Sequence, residues 1–335
     1  MLRRTAGDYP PPEPYLDDPY EDEPAPRRRI GGRKTTVVLY AFGLVFLTIA
    51  VLRIVGIDGD LITIPVLAVT PYVAVAGPLL FLIAFPLRRR ILAVAALVAA
   101  ISMGVLLLPR MLANDQPGVH GQHVRVLAVP GAGANPAALV NLVRNNNVDV
   151  LALSELSQSE LSGLADAGLA DLLSNQVLAL DAGNVSAIVS RFPLRQTASV
   201  DIVDQPMPSA IVDLPGRDDI EIVDAHVRSA LRGPADVWRR ELAHLPPAQP
   251  ERVRVLAGDF NATLDHAAFR AVLDRGYVDA AEQTGNGLVP TWQSWGPPLT
   301  TDHVLADHRC AIRDYAVLDL PGSEHNAVLA DLQLP

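Results

Sequence analysis

Two residue types are nearly missing from this chain of 335 residues, which has one cysteine, Cys310, and one lysine, Lys34. A lone thiol excludes an intramolecular disulfide and any zinc site built on cysteines. Basic residues number 27 against 37 acidic ones, for a formal charge of −10. That balance argues against a generic nucleic-acid binder, whose non-specific affinity rests on Lys and Arg neutralising phosphates. In the C-terminal half the arginines are interspersed with a larger number of Asp and Glu, so phosphate chemistry there needs a cation to offset the repulsion. What is abundant is apolar surface: hydrophobic residues make up 50% of the chain and mean hydropathy is +0.23. Nearly all the long apolar runs fall before residue 110, which divides the chain into a membrane-type front and a soluble-type back.

Residues 1–34 combine Pro10-Pro11-Pro12, an acidic run from Asp17 to Glu23 and Arg27-Arg28-Arg29. So much charge and proline leaves too little apolar surface to offset the entropy of ordering, and a disordered tail is expected. A transmembrane unit is expected over residues 35–112, from apolar segments at about 36–56, 61–87 and 91–108. Each is close to the roughly 20 residues a helix needs to cross a bilayer. Three buried helices of a soluble protein are disfavoured by the fully apolar circumference. Pro65, Pro71 and Pro78 predict kinks in the second segment. The basic residues before the first segment, and Arg88-Arg89-Arg90 between the second and third, place the N-terminus in the cytoplasm. Three crossings then carry the rest of the chain outside. The first segment lacks a small-residue cleavage site and is followed by two more, so it does not read as a removable signal.

After a linker at 113–123, a domain is expected over 124–335. Buried strands are predicted at 124–129, 148–153, 185–189, 220–223 and 253–257, with more near 302–306, 313–318 and 327–332. Helices are predicted at 137–146, 159–173, 235–245 and 265–273, the last capped by Asp265. The mixture implies an α/β layered domain without a fixed-period repeat.

Polar residues gather where these strands begin and end: Glu155, His226, Asp259 with Asn261, Asp302, and Glu324 with His325. Residues at strand ends share a rim of a layered sheet, where α/β proteins place ligands. Carboxylates such as Glu155, Asp259 and Glu324, with the Asn261 amide, are oxygen ligands of the kind Mg²⁺ prefers. His226 and His325 can hydrogen-bond a phosphate or move a proton near neutral pH, and Asp302 can hold one imidazole in its working tautomer. Together these groups are what an in-line attack of water on phosphorus needs. His266, His303 and His308 read as surface residues and Trp292 and Trp295 as sheet-edge packing, while Asn135 serves as a stand-in ligand only on the lesser alternative that the Gly131–Gly133 stretch folds back.

The motifs come in a recognisable order. Leu153-Ser154-Glu155, Ser190-Arg191-Phe192-Pro193-Leu194, Asp224-Ala225-His226, Gly258-Asp259-Phe260-Asn261, Asp302-His303-Val304-Leu305 and Gly322-Ser323-Glu324-His325 follow one another from 153 to 325. In this the chain resembles the endonuclease/exonuclease/phosphatase (DNase I-like) superfamily over about residues 124–334. The resemblance implies a four-layered α/β sandwich, here preceded by three transmembrane helices. It also implies Glu155 and Glu324 as ligands of Mg²⁺ (or Mn²⁺), Asp259 and Asn261 positioning water and phosphate, and His226 on the phosphate. His325, oriented by Asp302, is then base or transition-state stabiliser. The expected activity is phosphodiester or phosphomonoester hydrolysis outside the cytoplasmic membrane. Expected partners are the bilayer and a substrate drawn from nucleic acid, phospholipid head groups or other envelope phosphate esters.

Four positions depart from the family pattern. Val129-Pro130-Gly131 stands where an asparagine is usual, Ser154 replaces a glutamine, Asp224 an asparagine and Glu324 an aspartate. The rival expectation is therefore a catalytically impaired member serving as a membrane-tethered binding or scaffold module.

Overall fold

The computed structural model describes residues 32–130, 133–181, 184–198, 200–202, 205–216, 219–294 and 296–335. Residues 1–31 of the expected tail, the Gly131 end of the Gly-rich stretch and Trp295 therefore lie outside the described residues, and the last two tail positions, Arg33 and Lys34, begin the first helix.

The front of the chain forms α1 (Arg33–Val55), α2 (Thr63–Ala68), α3 (Thr70–Ala84) and α4 (Arg90–Leu107). Two helices, Arg33–Val55 and Arg90–Met111, are long and apolar enough to cross a membrane. The middle segment is not, which corrects the expectation of three transmembrane helices. The Thr70 hydroxyl donates to the Leu67 carbonyl at 2.6 Å, and Pro71 has no N–H to continue the helical ladder, so the segment breaks at Val69. At about 1.5 Å per residue, the 15 residues of α3 span roughly 22 Å.

Phe46, Leu80, Leu92, Ala96 and Met103 pack between α1, α3 and α4, while Phe42, Val45, Leu82, Val94 and Ile101 face outward. At one end Arg89, just before α4, donates to the Thr36 hydroxyl in the first turn of α1. At the other end Arg53 of α1 and Arg110 beyond α4 meet on Asp265. Helices α1 and α4 thus run the same way, and the α2–α3 limb brings the chain back between them.

The back of the chain builds two six-stranded mixed sheets. The first contains β1 (His123–Val129), β2 (Val150–Ser157), β3 (Asn175–Asp181) and β4 (Asn184–Ser190), then β13 (Ala311–Leu318) and β14 (Ala327–Gln333), in the order β13-β14-β1-β2-β4-β3. The second contains β5 (Leu194–Gln196), β8 (Ser209–Val212), β9 (Ile220–His226), β10 (Val253–Asp259), β11 (Tyr277–Asp279) and β12 (Asp302–Asp307), in the order β11-β12-β10-β9-β8-β5. A ribbon of β6 (Val200–Ile202) and β7 (Gln205–Met207) stands apart.

Strand alternation sorts the apolar residues into layers. Val126, Ala152, Ile222, Val255, Val304 and Val328 fill the space between the sheets. Leu151 and Leu153 point outward, onto α5 (Pro136–Asn145) and α6 (Gln158–Asp166). Val223, Leu256 and Leu305 do the same on the other side, against α7 (Ala235–His244) and α8 (Ala267–Leu273). The result is helix, sheet, sheet, helix, with short α9 (Ala280–Gln283) at one end.

Two local boundaries differ from the sequence pattern. Helix α6 starts on a capping box of Ser157 and Glu160 and stops at Asp166. The residue before α8 is His266, because Asp265 is committed to the two arginines.

Each sheet has one parallel pair at its heart, β1 with β2 and β9 with β10, while β12 and β14 run antiparallel to their neighbours. The ends of β2, β9 and β10 and the starts of β12 and β14 therefore converge on one edge.

Candidate active site

Register places the first three residues side by side. His226 pairs with Asp259 across β9 and β10, and Asp259 pairs with Asp302 across β10 and β12. All three share the alternation phase of Ile222, Val255 and Val304, so they face the space between the sheets at its open edge. Adjacent strands set neighbours in such a row about 5 Å apart.

Glu155 reaches the same edge through an irregularity. Unbroken alternation along β2 sends Glu155 outward with Leu151 and Leu153, into the helix layer. Instead the register shifts between Leu153 and Leu156, Glu155 takes a left-handed φ of 57°, and Leu156 continues the outer cluster. A bulge of this kind re-aims a side chain at some cost in backbone strain. Here it brings a Glu155 carboxylate oxygen to 3.6 Å from His226 Nε2.

The Gly258-Asp259-Phe260-Asn261 turn is built around contacts that leave little freedom. Gly258 has φ 145°, and a side chain there would collide with the Ala225 carbonyl of β9. Asp259 accepts from the Asn261 backbone N–H and side-chain amide, both at 2.7 Å, which holds Asn261 in the left-handed region. Behind it, Trp238 donates from its indole to the Asn261 carbonyl at 3.1 Å.

His325 sits just before β14, with Nδ1 at 2.9 Å from a buried Asp302 oxygen. Burial opposes charge on this imidazole, but Asp302, helped by Asp259, overrides it and raises the pKa to about 9. Asp259 itself is pushed up to about 8, by burial first and by the Asp302 charge second. Asp259, Asp302 and His325 offer donor atoms that all lie within 4.8 Å of one another. Asp259 and Glu155, near enough that the Glu155 charge acts on Asp259, are hard oxygen donors that fit a divalent cation.

Of the seven residues singled out from the sequence, His226, Glu155, Asp259, Asn261, Asp302 and His325 are thus gathered at one edge. Glu324 neighbours His325, but its exposed side chain accepts from the Ser294 hydroxyl at 3.0 Å and lies outside the Asp259–Asp302–His325 cluster. Asn135 is used as the cap of α5, accepting from the Ala138 N–H at 3.0 Å. Trp292 forms a bridge with His325 at the mouth of the site.

The expectation that His303 and His266 lie on the surface is corrected: both are about 1% exposed. Strand alternation explains His303, which follows Asp302 on β12 and so points the opposite way, into the helix layer. There it pairs with Asp279 at 2.6 Å and with the Ala262 carbonyl at 3.0 Å. His266 bonds the Ile64 carbonyl of α2 at 2.9 Å, a contact across 202 residues that no local pattern announces.

Asp224 is the departure with a measurable consequence. Its carboxyl is 1% exposed, accepts from Ser154 at 2.8 Å across the two sheets, and has one oxygen without a partner among the described residues. Burial raises its pKa to about 7, against the Ser154 hydrogen bond. The folded state therefore binds a proton that the unfolded chain releases near pH 4, so stability falls as pH rises from about 4 to 7 and stays low above. Asp224→Asn removes that titration. Its melting temperature relative to the parent is expected to rise between pH 5 and pH 8, by an amount equivalent to roughly 2–4 kcal/mol. An unchanged difference across that range excludes a buried titrating carboxyl.

The sequence profile described as Endonuclease/Exonuclease/phosphatase family matches residues 119–325. No curated protein matches the chain in a sequence search. Among solved structures, an endonuclease/exonuclease/phosphatase from Beutenbergia cavernae DSM 12333 is 17% identical, with 64% of this chain and 72% of that one covered at a TM-score of 0.50. A family protein from Bacteroides thetaiotaomicron is 14% identical, over 64% of this chain and 99% of that one, at 0.52. A humanized D. rerio TDP2 is 16% identical, over 63% and 99%, at 0.52. These likenesses concern the fold, whereas the profile spans most of the chain and includes the motifs from Glu155 to His325. The chain belongs to the endonuclease/exonuclease/phosphatase family.

Proposed function

We propose that this protein is a divalent-cation-dependent phosphoesterase held at the outer face of a cytoplasmic membrane. The observation that carries the reading is the single edge on which Glu155, His226, Asp259, Asn261, Asp302 and His325 meet. Members of this family hydrolyse phosphoric esters, and the donor set is one that Mg²⁺ or Mn²⁺ accepts.

Glu155 and Asp259 would hold the cation, which when bound supplies charge to offset that of the phosphate. Asp259 and Asn261 orient water for in-line attack. The water oxygen bonds to phosphorus as the bond to the departing alcohol oxygen breaks, one proton ends on that alcohol and the other is released to solvent. His226 steadies a non-bridging oxygen. His325, kept charged by Asp302, donates a hydrogen bond to the phosphoryl group as negative charge builds there. Glu324 acts from outside this group, through its charge beside His325.

The membrane part of the reading is supported by the two long apolar helices and by the outward-facing apolar residues of α1, α3 and α4. Arg88, Arg89 and Arg90 mark the cytoplasmic side.

The test uses the full-length protein in nanodiscs with aryl phosphodiester and phosphomonoester substrates. Hydrolysis is expected with Mg²⁺ or Mn²⁺, to vanish on chelation, and to fall at least about 100-fold in Glu155→Gln. The scaffold reading, favoured by Pro130 and by the outward turn of Glu324, predicts silence on every substrate and no cation-dependent shift in melting temperature.

A further inference from the structure

We infer that the phosphate ester handled at this edge is carried by a lipid, whose hydrocarbon chain lies between the α2–α3 limb and the catalytic domain. The inference rests on the phosphoesterase reading and adds the substrate class to it.

Loops that adjoin the active edge rest on the helical bundle. The Tyr72 hydroxyl of α3 donates to the Pro298 carbonyl at 2.6 Å, and the Asp58 carboxylate, between α1 and α2, accepts from the Ala268 N–H at 2.8 Å. Pro298 lies four residues before Asp302, and Thr263 two residues after Asn261. A hydrogen bond of 3.0 Å from the Phe260 N–H to the Thr301 carbonyl joins these two segments. The loops that follow the catalytic turn and precede β12 are therefore the loops seated on the bundle.

Between the two parts lies a pocket of about 280 Å³. One wall is Ala68, Pro71 and Val75 of the limb, and the other includes Leu264, Leu288 and Leu299 of the domain. Thr263 and Thr300 line it as well, two residues after the catalytic turn and two before the start of β12. Arg110 is its sole cationic lining residue and is already bound to Asp265, so a polyanion such as nucleic acid finds no counter-charge there.

Beyond the pocket, the face of α3 that carries Val75 stays apolar. Tyr72, Val75, Leu79 and Leu82, spaced at three, four and three residues, share one face of α3 and are 47%, 62%, 55% and 63% exposed. An exposed apolar stripe running from the hydrophobic belt into an apolar pocket beside a phosphate-type site matches a single alkyl or prenyl chain ending in a phosphate ester.

The probes are methyl and dodecyl 4-nitrophenyl phosphate, which share the scissile bond and differ only in the chain. The full-length protein in nanodiscs is expected to favour the dodecyl ester at least ten-fold in kcat/KM. Val75→Trp, at an exposed position on the pocket wall, is expected to reduce that preference at least five-fold. Val94→Trp, on an exposed face of α4 away from the pocket, controls for simple partitioning and is expected to leave the preference in place. Equal use of both esters, or equal preference in both variants, overturns the lipid assignment while leaving the phosphoesterase standing. Failure to cleave either ester with Mg²⁺ or Mn²⁺ removes both.

Discussion

Replacing His325 by alanine is expected to lower kcat/KM for phosphate-ester hydrolysis by about 10² to 10³-fold, the range usual for losing a donor aimed at developing negative charge. Asp302→Asn should cost less at acid pH and nearly as much at alkaline pH. In the parent protein Asp302 holds the imidazole at 2.9 Å and lifts its pKa to about 9. A rate that depends on the charged ring is then sustained up to that pH and falls above it. Without the Asp302 charge the ring titrates closer to its ordinary value of about 6.5, so the falling limb moves to lower pH. A pH–rate series for both variants with Mg²⁺ checks this. A parent rate that instead rises through pH 8 to 9, with Asp302→Asn shifting the rise downward, makes His325 the general base and overturns its role as a charged donor.

The legible and illegible parts of this site differ in a physical way. The row of His226, Asp259 and Asp302 was open to sequence reading because each residue ends or begins an apolar strand, and parallel pairing brings strand ends together. Layering was legible for the same reason, since alternating valines and leucines declare two buried faces. The Glu155 bulge was not, because the residues flanking it look like an unbroken strand and the register shift comes from pairing with β4. Glu324 shows the reverse limit: its motif position is clear, but its direction is set by Ser294, 30 residues away in sequence. His303 lies inside because neighbours on a strand face opposite ways and this strand is covered on both. The break at Val69 illustrates a third case. Mean hydropathy registers the middle apolar segment as one span, whereas the Thr70 hydroxyl and the missing N–H of Pro71 decide that it is two helices.

The largest loss of stability is expected from Asp265→Asn, a change remote from the chemistry and conservative in shape. Asp265 is 1% exposed and takes Arg53 Nε at 2.6 Å and Arg110 Nη1 at 2.9 Å, so one carboxylate neutralises two nearly buried guanidiniums from separate helices. Burial alone raises such a carboxyl, yet Arg110 and Arg53 together hold it below its usual range. Its contribution to stability is therefore present at neutral pH and is lost only as acid protonates it below about pH 4. Asparagine keeps the volume but strands both cations in a dry site, and breaking a buried pair in this way costs about 3–5 kcal/mol. In a domain of this size that corresponds to a melting temperature lower by roughly 6 to 20 °C at pH 7, with the deficit shrinking toward pH 3. Replacing all three partners at once, as Arg53→Met, Arg110→Met and Asp265→Leu, should recover much of the loss, because apolar side chains need no counter-charge in the same space. If Asp265→Asn melts with the parent, the three groups do not form one buried cluster, and the bundle and the catalytic loop are not joined there.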